Sequence, residues 1–95
     1  FGLFRCAAER NDPRGRVAPL AACLALRPND PDLYYIRGMA FFELGEYEEA
    51  FLDFDESVKR DPTYAVGYFY RGRMRVVERK WAEAEKDFTK AVELD

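Results

Sequence analysis

Histidine is missing from all 95 residues, and with it the commonest general base and the commonest metal-ligating side chain. Cysteine is nearly missing: Cys6 and Cys23 stand far apart without CxxC spacing, and they read as buried free thiols on helices. No apolar run approaches the ~18 residues needed to cross a bilayer, and no secretory leader is visible, so no membrane partner is expected. The chain opens on Phe1 instead of Met and reads as a fragment or processed chain, with a cytoplasmic location expected. No stretch alternates apolar and polar residues as a half-buried strand would, which excludes a sheet. Neither a cofactor nor a catalytic site is expected, because no nucleophile stands with a base to activate it.

What is present is apolar and aromatic. Apolar residues make up 48% and aromatics 16%, enough to argue against disorder in a single domain of this size. The net charge of −3 argues against a nucleic-acid partner. Its distribution is uneven. Residues 1–30 carry five bases and three acids, residues 31–64 three and nine, and residues 65–95 seven and six.

Sliding the chain by 34 positions aligns residues 31–61 with 65–95, and nine of the 31 pairs are identical. Unrelated sequence would give about two. The identities are Tyr34/Tyr68, Arg37/Arg71, Gly38/Gly72, Glu49/Glu83, Ala50/Ala84, Asp53/Asp87, Phe54/Phe88, Val58/Val92 and Asp61/Asp95. The same shift pairs Pro28 with Pro62, Leu20 with Phe54 and Leu24 with Val58, so a weaker copy comes first. The expected divisions are an irregular hairpin over 1–30 and repeats over 31–64 and 65–95.

Each copy reads as two helices. Asp30 caps a helix that starts with Pro31, runs to about Leu44 and is broken at Gly45. The next places Tyr47, Ala50, Phe51, Phe54 and Val58 on one face and ends before Asp61–Pro62. Six helices are expected, near 1–10, 19–27, 31–44, 47–60, 63–78 and 81–94. The second starts at Pro19 because proline fits poorly inside a helix, and 11–15 read as a loop.

The pattern Tyr34-x2-Arg37-Gly38-x2-Phe41, then Ala50-x3-Phe54, then Pro62 resembles the tetratricopeptide repeat, as do Tyr68-x2-Arg71-Gly72 and Ala84-x3-Phe88. Arg75 departs from it, standing where an aromatic belongs. The resemblance implies an all-α, right-handed solenoid of antiparallel hairpins whose work is protein–protein recognition or scaffolding. It also implies that Gly38 and Ala50, like Gly72 and Ala84, are small so that paired helices can approach. Some members of the family grip a partner's C-terminal carboxylate with inward Lys and Asn. Here Asp32, Tyr35, Ile36 and Met39, then Val66, Phe69 and Tyr70, occupy that region, so the activity is not implied.

Arg37 and Arg71 each precede an acid, Asp53 and Asp87, by sixteen residues, an offset that predicts an ion pair across each hairpin. Glu46, Glu48 and Glu49 lie at a helix N-terminus and read as a solvated face favoured by the dipole. Arg71, Arg75 and Arg79 share one side of a helix, with acids of the neighbouring helix as their expected partners. Tyr35, Met39 and Phe42 lie opposite the side used by Tyr34, Gly38 and Phe41. Phe69, Arg73 and Val76 occupy the equivalent places one repeat later. Tyr35, Met39, Phe42 and Phe69, with Tyr70 at the margin and Arg73 as the one inward charge, are the expected lining of a partner-binding groove. The expected partner is a peptide or helix with apolar anchors and an acidic residue. The alternative is a structural spacer or oligomerisation module whose apolar groove is covered by its own chain or by a second copy. Self-association through the C-terminal hairpin is also expected, since Val77, Trp81, Ala91 and Val92 have no evident cap.

Overall fold

The computed structural model describes residues 13–95; the helix expected near 1–10 and Cys6 lie outside them. Five helices follow in order: α1 (Pro13–Leu26), α2 (Pro31–Glu43), α3 (Tyr47–Arg60), α4 (Ala65–Val77) and α5 (Trp81–Leu94), and no strand occurs among the described residues. Each helix packs on the next. In addition α2 touches α4 while α3 and α5 do not meet, which puts the first helix of each regular hairpin on the inner side of the stack. Among the described residues, no helix is long and apolar enough to cross a membrane.

The helix starts and stops follow local chemistry. The Asp30 carboxylate accepts the Asp32 N–H at 3.0 Å and Pro31 occupies the first turn of α2. That helix closes in a Schellman motif, with Glu46 N–H to Phe41 O at 2.9 Å, Gly45 N–H to Phe42 O at 3.0 Å, and Gly45 at φ 78°. α4 closes in the same motif, Lys80 to Arg75 at 2.8 Å and Arg79 to Val76 at 2.9 Å, but Arg79 adopts φ 61°. Arg79 therefore leaves the helix and does not share a side with Arg71 and Arg75, contrary to the expectation from spacing.

Two boundaries also differ. α1 starts at Pro13 and runs through Pro19, so Pro13–Gly15 is helix instead of loop. Pro13 suits a first helical position, and the missing N–H of Pro19 removes a single rung from a helix that otherwise continues. α4 starts at Ala65 and not at 63. Asp61 Oδ1 accepts the Thr63 hydroxyl at 2.7 Å and its N–H at 3.0 Å, fixing a turn ahead of the helix. The same two bonds, the hydroxyl's first, hold the Asp61 carboxyl below its usual range.

The core repeats with the sequence. Phe54 is fully buried, and a Cβ on Gly38 would lie 2.8 Å from its ring; a Cβ on Gly72 would lie 2.9 Å from Phe88. The two glycines are where the helices of each hairpin cross closely. Tyr34 donates to Pro28 O at 2.9 Å and Tyr68 to Pro62 O at 3.0 Å, tying each first helix to the turn before it. Cys23 is a half-buried free thiol on α1.

Candidate recognition groove

Hairpin α2–α3 is locked by Arg37, whose Nε and Nη2 donate to Asp53 Oδ2 and Oδ1 at 2.9 and 2.8 Å. Hairpin α4–α5 repeats the arrangement from Arg71 to Asp87 at 3.0 and 2.7 Å. Both predicted pairs form. Burial pushes the Asp53 carboxyl up from its usual range against the pull of the guanidinium. Arg71 also reaches back to Asp55 on α3 at 2.8 Å, and Arg75 donates to Asp87 at 3.3 Å and Glu83 at 3.2 Å while its guanidinium lies over the Phe51 ring. These arginines are thus engaged inside the fold, as the spacing predicted for Arg71 and Arg75. Spacing did not reveal the Asp55 link, because residue 21, the position equivalent to Asp55 one repeat earlier, is alanine.

The six residues expected to line a groove lie together on α2 and α4, in two environments. Tyr35, Met39, Phe42 and Tyr70 are half-buried against the core of Ala50, Phe54 and Met74. The Tyr35 ring lies 5.4 Å from Tyr70 and 6.3 Å from both Phe54 and Tyr64. Burial, then the Tyr70 phenol, raises its pKa. These four side chains are as much hairpin joint as groove wall. Phe69 and Arg73 are exposed, Phe69 by 43%. Phe69 rests on Tyr70 and Phe88 at 5.1 and 5.6 Å, and Arg73 stands over the Phe42 and Tyr70 rings at 5.5 and 5.6 Å.

Apolar residues beside these six extend the same surface. Val76 and Val77 join Phe42, Phe69, Arg73 and Phe88 around a cavity of about 380 Å³. Val66 continues the exposed apolar face toward the start of α4. The spacing of α4 already placed Val66 and Val76 on this side, and Val77 is the residue it left out.

The tetratricopeptide-repeat family profile matches residues 31–64. The chain belongs to the tetratricopeptide-repeat family. It is 32% identical over 63 residues to tetratricopeptide repeat protein 12 of Mus musculus, covering 66% of this chain and 9% of that protein. It is 30% identical over 105 aligned residues to the mitochondrial import receptor subunit TOM70 of Homo sapiens, covering 93% of this chain and 17% of that one. The chain therefore spans only a small part of these relatives. Among solved structures, the first TPR of Spaghetti (RPAP3) bound to the HSP90 peptide SRMEEVD superposes with a TM-score of 0.89 at 24% identity, covering 98% of this chain and 76% of that one. This likeness shows a tetratricopeptide superhelix.

Proposed function

We propose that this chain is a protein-recognition module that holds a segment of another protein along the inner side formed by α2 and α4. The observation that carries this reading is the exposed face of α4, where Val66, Phe69, Val76 and Val77 are 42%, 43%, 37% and 49% exposed beside the half-buried aromatics of α2. Apolar residues grouped on one face of a well-packed helix are the usual mark of an interaction surface. The superposed Spaghetti domain holds a peptide, which supports the class of partner. Its acidic peptide is not carried over, because Asp32, Tyr35, Ile36, Met39, Val66, Phe69 and Tyr70 include neither Lys nor Asn.

A library of displayed dodecapeptides tests this. Wild-type chain is expected to enrich apolar sequences, and a Phe69→Ser/Val76→Ser variant with an unchanged melting curve is expected to enrich none. Enrichment that survives both substitutions would place recognition elsewhere.

A second reading is favoured at the other end of the stack. Leu24 and Val58 are 7% and 5% exposed beneath the following helix, whereas their counterpart Val92 is 75% exposed and Trp81 62%. Self-association through α5 would cover them. Concentration-dependent sedimentation abolished by Val92→Lys is the expected result, and a monomer at all concentrations would dismiss it.

A further inference from the structure

Arg73 stands apart from the other arginines of α4. Arg71 and Arg75 direct their N–H groups at Asp55, Asp87 and Glu83, but Arg73 has no carboxylate partner among the described residues. Instead its guanidinium lies over the Phe42 and Tyr70 rings, and the side chain is exposed. A cation positioned in this way on an apolar floor favours a carboxylate, which it can bind through two parallel hydrogen bonds.

We propose that the open face of α4 receives an amphipathic helix of a partner protein bearing one acidic side chain between two sets of apolar anchors. This rests on the groove reading above and adds the chemistry of the occupant. The order along α4 is Val66, Phe69, Arg73, Val76, Val77, with the cation in the middle and exposed apolar residues on both sides. A carboxylate at the end of a chain would leave one of the two apolar halves empty; an internal Asp or Glu fills both. The steps of three and four residues spread the stripe over about 16 Å of helix. An opposing helix presents its own side chains at the same intervals, so that ridges and grooves interlock. An extended segment would set same-side anchors about 6.7 Å apart and would meet these steps less regularly.

The probe is a pair of synthetic amphipathic helical peptides, identical except for a central Glu or Gln, titrated into the 95-residue chain by calorimetry. The Glu peptide is expected to bind about tenfold more tightly. Arg73→Gln should equalise the two peptides without moving the melting temperature, and a peptide ending directly after the Glu should lose most of its affinity. Phe69→Ala separates the possible failures, with Val76→Ser in its place if that variant does not fold. Equal binding of both peptides to wild type, weakened for both by Phe69→Ala, would overturn the role of Arg73 and leave the groove standing. No binding of either peptide would overturn both.

Discussion

Arg37 and Asp53 show how one residue pair decides the integrity of a hairpin. The carboxylate is 4% exposed and carries two guanidinium bonds, so removing it strands a partly buried cation. Asp53→Ala is expected to lower stability by about 3 kcal/mol in urea denaturation, where an exposed pair would lose about 0–1 kcal/mol. A double-mutant cycle with Arg37→Ala should show strong coupling. Arg79 is a residue in tension with its place. It occupies the left-handed position that Gly45 fills one repeat earlier, in the same Schellman geometry. Arg79→Gly is therefore expected to stabilise the chain by about 1 kcal/mol in the same assay, through relief of the Cβ–carbonyl clash.

At the scale of elements, what could be read from residues was whatever repeats. Gly38/Gly72, Arg37/Arg71 and Asp53/Asp87 recur at 34 residues because each hairpin solves the same packing problem. The joint between hairpins repeats only in part: the Tyr34 and Tyr68 hydroxyl bonds recur there, but other contacts have no counterpart at that offset. Gly67 is an example: it aligns with Leu33, yet a Cβ there would lie 2.8 Å from Val58 Cγ1 and press on the buried Ser57 hydroxyl. Gly67→Ala is thus expected to destabilise by about 1–2 kcal/mol despite its better helix propensity, because α4 must move off α3. A melting temperature at or above wild type would show that the joint has slack. The start of α1 was hidden for a related reason, since a proline rule that holds locally gave way to a helix that continues past Pro19. On the candidate groove face, the side of α2 that carries Tyr35, Met39 and Phe42 was legible from its position opposite Gly38. What escaped was that packing at the hairpin joint half-covers them and leaves α4 as the accessible wall.

The whole molecule is held by links that cross its hairpins, and one of them titrates. Tyr64, at the head of α4, donates to Asp32 of α2 at 2.5 Å and packs edge-on against Tyr35. Burial first, then the Asp32 carboxylate, lifts the Tyr64 phenol far above its ordinary range, and Tyr35 is raised as well. Phenols whose pKa is raised by folding contribute stability that is complete below the unfolded value near pH ~10 and is lost as pH rises toward the folded values. Stability should therefore fall as pH rises through about 10 and keep falling above it, less steeply in Tyr64→Phe. Equal slopes would mean that the bridge is not protected in solution. The central claim is that the side of α2 and α4 receives a partner. Amide chemical-shift mapping of the isotope-labelled chain with a displayed-library peptide tests it most directly. The account predicts that the largest shifts cluster at Phe69, Arg73, Val76 and Phe42, with α5 beyond Phe88 unchanged; shifts confined to Trp81, Ala91 and Val92 would contradict it.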